Sequence, residues 1–142
     1  ARYEIELEEY IKKIQIEGRI LGDIARNHVI PTAITYQNTL IANVKGLKDI
    51  FGNEFEKYAS EQINLIREIS GHISTIISTV DKMTDERKKA NKIDHADKKA
   101  DAYCKNVKPL FDKIRYACDK LELLIDDELW PLTKYRELLF VR

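Results

Sequence analysis

RNHVIPTAITYQN, residues 26–38, sets Pro31 between Ile30 and Thr32 with no Gly, Asp or Ser beside it. Proline inside a helix removes one backbone donor and clashes with the carbonyl one turn back, at roughly 3 kcal/mol. The apolar rhythm nevertheless continues on both sides. Upstream, Tyr3, Leu7, Tyr10, Ile14, Leu21, Ile24 and His28 recur at spacings of three and four, with Glu17 interrupting the stripe. Downstream the stripe resumes at Ile34, Gln37, Ile41, Val44, Leu47 and Phe51. Such a pattern reads as one long helix, about residues 2–51, kinked at Pro31.

Gly52 suits the residue just past a helix end. Asn53 followed by Glu56 has the form of a capping box. The second helix is expected over about 54–90, with a seam through Phe55, Ala59, Gln62, Ile66, Ile69, Ile73, Ile76, Val80, Met83, Arg87 and Ala90. Its far end is highly charged. Between Asp81 and Asp101 lie seven basic and six acidic residues, the signature of a solvated hairpin end, with Asp94 the best cap for the next helix. The third helix, about 95–129, carries Ala96, Ala100, Tyr103, Val107, Leu110, Ile114, Ala117, Leu121 and Leu124, and should kink at Pro109. Trp130–Pro131 stops it, because the residue before proline is pushed out of helical geometry. The tail 131–142 is short and apolar-rich.

The predicted fold is therefore all-α: an elongated antiparallel three-helix bundle with proline-kinked long helices and a short apolar C-terminal tail. At ~1.5 Å per residue, the helices measure roughly 75, 55–60 and 50 Å. The third should end level with the Gly52 turn, and the first ten residues should project past the Asp94 hairpin.

Composition narrows the function classes. The 142 residues carry 24 basic and 24 acidic side chains, a net charge of zero, which argues against nucleic acid as partner. No stretch approaches the ~20 apolar residues that span a bilayer. Ala1, rather than Met, opens a pattern already helical at Arg2–Tyr3, so we expect a segment of a longer polypeptide. Cys104 and Cys118 lie about 21 Å apart along one helix, beyond the roughly 7 Å a disulfide allows, and read as buried free thiols of a cytoplasmic protein.

Chemistry-bearing motifs are sparse. A di-iron bundle needs Glu three residues before His on two helices; here Ala25, Ile69 and Lys92 precede His28, His72 and His95. Glu68 and His72 are a lone i,i+4 pair. His28, on the seam, reads as a satisfied core or kink-lining residue, with a carbonyl freed by Pro31 as a candidate partner. Gly46, Gly52 and Gly71 are isolated and form no phosphate loop. Asp126, Asp127 and Glu128 fall in the expected last helical turn, where the dipole disfavours negative charge. A corner salt-bridged to Lys45, Lys48 or Lys57, or to Lys134 and Arg136, accounts for them. No catalytic, cofactor-binding or metal-binding residue emerges. The candidate interaction surface is Asp126, Asp127 and Trp130, together with Tyr135, Leu138, Leu139 and Phe140 of the tail.

Three stretches carry a resemblance: RYEIELEEYIKKIQIEGRILGDIARNHVIPTAITYQN at the start, EISGHIS in the middle, and DKLELLIDDELWPLTKYRELLF at the end. Across essentially its whole length the chain resembles the C-terminal helical region of the type III, long-chain bacterial glutamine synthetases. The resemblance implies a parent ligase that joins ammonia to glutamate with ATP and Mg or Mn, assembled as stacked hexameric rings in the cytoplasm. It places the catalytic residues upstream, in a domain with no counterpart here. The expected partners are that catalytic domain and neighbouring subunits of a homo-oligomer, with no nucleic acid and no membrane. The expected role is structural. The alternative is a regulatory small-ligand module with a pocket near the Pro31 or Pro109 kink.

Overall fold

A computed structural model describes residues 2–130. Among them every regular element is helical, and the chain runs as three helical rods. The first comprises α1 (Arg2–Ile24), a π-helical turn (Ala25–Val29) and α2 (Ile30–Phe51). The second is α3 (Glu56–Asn91). The third comprises α4 (Ala96–Ala102), a second π turn (Tyr103–Val107) and α5 (Lys108–Leu124).

Each π turn ends two residues before a proline, and this explains how the rods survive Pro31 and Pro109. The Ile30 N–H donates to the Ala25 carbonyl and the Lys108 N–H to the Tyr103 carbonyl, each five residues back. The widened turn adds one residue just before the position where proline can neither donate nor tolerate a close carbonyl. Helical dihedrals continue through Ile24, Val29 and Ile30. The Thr32 hydroxyl donates to the His28 carbonyl at 2.8 Å, and Thr35 to the Pro31 carbonyl at 3.0 Å.

The inserted residue also re-phases the first rod. Its buried stripe is Ile11, Ile14, Gly18, Gly22, Ala25 and Val29, continuing through Ile30 and Ala33. His28 is exposed, with Nε2 3.8 Å from Asp23 Oδ2, and does not line the seam. Tyr3 is 65% exposed and Ile34 43%, against their expected burial. Gly18 and Gly22 were unforeseen on this stripe. A Cβ built on Gly18 would sit 3.2 Å from the Phe111 ring, so the absent side chain is what lets α5 close on α1.

Contacts between the rods follow a steady register. Asn43 bonds Gln62, Gln37 bonds Ile66 and Ser70, Arg26 bonds Asp81, and Gln15 bonds Asn91. On the third rod, Gly18 meets Phe111 and Tyr10 meets Cys104, an offset of roughly 93 residues. The core lies along this three-rod stretch, where Ile69, Ile76, Met83, Tyr103, Phe111, Ile114 and Leu121 are fully buried.

Four local expectations need correction. The N-terminal residues do not project alone, because α1 packs against α4. The short loop before α4, with His95 extended at ψ 129°, carries the chain back along α1 before the helix starts. Neither Asn53 nor Asp94 caps a helix: a 3₁₀ turn (Gly52–Glu54) leads into α3, and His95 takes the N-cap place of α4 without a side-chain bond. The third helix stops at Leu124, not 129, because Ile125 turns extended and buries its side chain. The third rod consequently ends well short of the Gly52 turn.

Gly52 has φ +59° and ψ −128°, a region that side-chain-bearing residues avoid. Nothing lies within 4 Å of a Cβ at Gly52 or at Gly46, yet the two should respond oppositely to alanine. Gly46→Ala should raise stability by about 0.5–1 kcal/mol through helix propensity. Gly52→Ala should lower it by about 1–3 kcal/mol through backbone strain. Urea denaturation of the two variants checks the opposed signs.

Candidate interaction surface

The corner after α5 is built by Asp126. The Ile125 N–H closes the last helical turn on Leu121 O at 3.0 Å. Asp126 Oδ1 then accepts from the Glu128 N–H at 2.9 Å, and its carbonyl accepts from Leu129 and Trp130, each at 3.1 Å. An aspartate bonding the amide two residues on is a turn-forming device. The acidic trio therefore lies beyond the helix end, and the expected clash with its dipole does not arise. Trp130 folds back into the core at 8% exposure, yet its Nε1–H finds no acceptor. Two of the lysines expected opposite this corner act locally elsewhere: Lys57 pairs with Glu54 at 3.6 Å and Lys48 lies over the Phe55 ring. Asp126, Asp127 and Trp130 thus share one corner, with the two aspartates exposed. Tyr135, Leu138, Leu139 and Phe140 lie outside the described residues.

Sequence reading missed a second polar cluster, at the opposite end. Tyr103 is fully buried, and its hydroxyl donates to Asn91 Oδ1. Gln15 Nε2 donates to the same Oδ1 at 3.1 Å and to the Tyr103 hydroxyl at 2.9 Å. All three rods are joined there. A tyrosine on an apolar stripe was the available signal, since a buried phenol needs a partner.

The clefts are shallow and open to solvent. One, about 290 Å³, is lined by both charge signs, with Glu8 and Asp94 facing Lys12 and Lys99. It sits at the charged end, while another, about 280 Å³, includes Arg26 and Asn27 of the first π turn. No group of three metal-ligating side chains occurs among the described residues. His72 Nε2 stands 3.6 Å from Glu68 Oε1, one loose pair on one helix. No described helix is long and apolar enough to cross a membrane.

The thiols differ in environment. Burial, assisted by the charge of Asp119, pushes the Cys118 thiol up to about 11. Cys104 is exposed, against its expected burial. At pH 8 one thiol per chain should react rapidly with an aromatic disulfide reagent, and the second only after denaturation, because thiolate is the nucleophile. Two fast equivalents from folded chain would contradict this burial.

The described surface combines exposed apolar groups with clefts of mixed charge. Residues 1–48 match the family described as "Glutamine synthetase C-terminal domain". The whole chain is 48% identical to a glutamine synthetase of Bacteroides fragilis (strain YCH46). The chain belongs to the glutamine synthetase C-terminal domain family. It is also 25% identical along its full length to a type-3 glutamine synthetase of Dictyostelium discoideum, in keeping with the type III resemblance. A glutamine synthetase of Butyrivibrio fibrisolvens is 24% identical over 99% of the chain. This glutamine synthetase domain spans 20% of the length of each of these relatives.

Proposed function

We propose that this domain is a structural and assembly module of a longer glutamine synthetase and has no active site of its own. Its rods form an antiparallel bundle bent at the two prolines; the register from Asn43–Gln62 to Gln15–Asn91 and the paired π turns support that reading. The observation that carries the role is the distribution of side-chain type. The buried positions are almost wholly apolar, and Thr79 is the one buried polar residue among those described. Large apolar groups such as Ile50, Tyr58, Tyr116 and Leu123 are left outside. Such a surface suits packing against other protein more than binding a small solute.

In the parent enzyme, ammonia would be joined to glutamate with ATP and Mg or Mn in a catalytic domain elsewhere in the polypeptide. The bundle would brace that domain and neighbouring subunits of a cytoplasmic ring assembly. Purified 142-residue chain, incubated with glutamate, ammonia, ATP and either metal, should form no glutamine. Turnover that copurifies with the chain would overturn the assignment.

A further inference from the structure

The cleft of about 290 Å³ between α1 and α4 differs from the apolar surface that the bundle turns outward. Glu8, Ile11, Lys12 and Gln15 recur at spacings of three and four, which puts them on one face of α1. Asp94 of the preceding loop and Ala96 and Lys99 of α4 complete the lining, and α4 packs on α1. Two carboxylates and two ammonium groups therefore share one cleft, with a net charge of zero.

Opposite charges so placed ordinarily neutralise one another. Glu8 four residues ahead of Lys12 is the favoured order for a helical ion pair. Elsewhere on the chain that spacing is used: Arg2 pairs with Glu6 at 3.4 Å and Lys105 with Asp101 at 3.2 Å. Yet none of Glu8, Lys12, Asp94 and Lys99 forms an ion pair with a described residue. One side of the cleft is also held rigidly. Gln15 Nε2 is committed to Asn91 and to the fully buried Tyr103, where all three rods join. Its carbonyl oxygen accepts no hydrogen bond from a described residue. Buried Ile11 and half-buried Ala96 add apolar surface.

Charge selects the class of ligand. A simple anion is drawn to the lysines and repelled by the carboxylates, and a simple cation meets the reverse. A molecule that carries both signs gains from both pairs. We propose that this cleft binds a free α-amino acid with an aliphatic side chain. Lys12 and Lys99 take its carboxylate, Glu8, Asp94 and the Gln15 carbonyl take its ammonium, and Ile11 and Ala96 take its side chain. The bound molecule ties α1 to the loop before α4, whatever the bundle braces in a longer polypeptide.

Titration of the 142-residue chain with L-leucine, followed by amide NMR shifts, tests this site. Leucine should shift the amides of 8–15 and 94–99 saturably, with Kd on the order of 1 mM, as befits exposed ion pairs. Isocaproate, which lacks the ammonium, and isoamylamine, which lacks the carboxylate, should each bind at least about tenfold more weakly. Two variants separate the ends of the ligand. Lys99→Gln should weaken leucine about three- to fivefold without weakening isoamylamine, and Glu8→Gln should weaken leucine similarly without weakening isocaproate. The proposal is overturned by the absence of a saturable shift below about 50 mM leucine, or by equal binding of the three compounds. Shifts centred elsewhere, or leucine affinity unchanged in either variant, overturn it as well.

Discussion

Phe111→Ala should remove about 3–5 kcal/mol of stability, a large share of what a domain of this size possesses. Phe111 is 1% exposed and fills the space left by the missing side chain of Gly18. Its ring touches that position more closely than Met83 Sδ, which would stand 3.6 Å from a Cβ there. Truncation opens a cavity where α1, α3 and α5 meet, and the rods cannot collapse into it without moving together. A fall in melting temperature of roughly 10–15 °C is expected. The partner glycine supplies a sharper check. Gly18→Ala should destabilise the native chain, because the ring at 3.2 Å must give way. In the Phe111→Ala background the same change should stabilise, since the clash is gone and helix propensity favours alanine by up to about 1 kcal/mol. A double-mutant cycle reads the reversal. Additive effects would show that the two residues do not share that space.

Where a rod keeps one unbroken phase, the sequence is readable. α3 runs 36 residues without a bulge, and its buried set, including Ala59, Ile69, Ile76, Val80, Met83 and Ala90, follows the seam spacing. The first rod defeats the same reasoning for an identifiable reason. One residue inserted at Ala25–Val29 shifts the inward face, so that Val29 is buried where His28 was expected. Proline marks such a place, but whether the helix answers with a wider turn or only with a bend depends on the packing around it. Gly18 and Gly22 escape notice because close approach of helices leaves no apolar signal.

The candidate surface is partly legible. Trp130 stands out by its type and by the proline after it, and it is indeed turned inward. The third helix ends five residues earlier than its pattern suggests, because no helix-breaking residue lies between Leu124 and Trp130. Asp126 breaks the helix there by bonding the Glu128 amide, a competition with the helix that depends on local geometry. The Gln15–Asn91–Tyr103 cluster joins residues up to 88 positions apart and has no local pattern.

The second large effect concerns the parent polypeptide. If the bundle is a brace, a glutamine synthetase lacking residues 1–142 of this chain should lose assembly or thermal stability first. Its chemistry should suffer only through that loss. The apolar groups now outside, among them Ile50 at 74% exposure and Tyr58 at 50%, would forfeit their contacts. Area of that kind is worth ~25 cal/mol per Å² when buried, so several such side chains together decide whether a subunit contact holds.

Light scattering in line with size-exclusion chromatography, on the full-length enzyme and on the enzyme lacking this domain, separates a brace from a catalytic part when glutamine formation is assayed in every fraction. Loss of a brace should give a smaller or heat-labile particle, and a rate per subunit nearly unchanged in whatever fraction remains fully assembled. A particle of unaltered mass and melting temperature whose rate has collapsed would contradict this role, and would place a catalytic or regulatory group within the bundle.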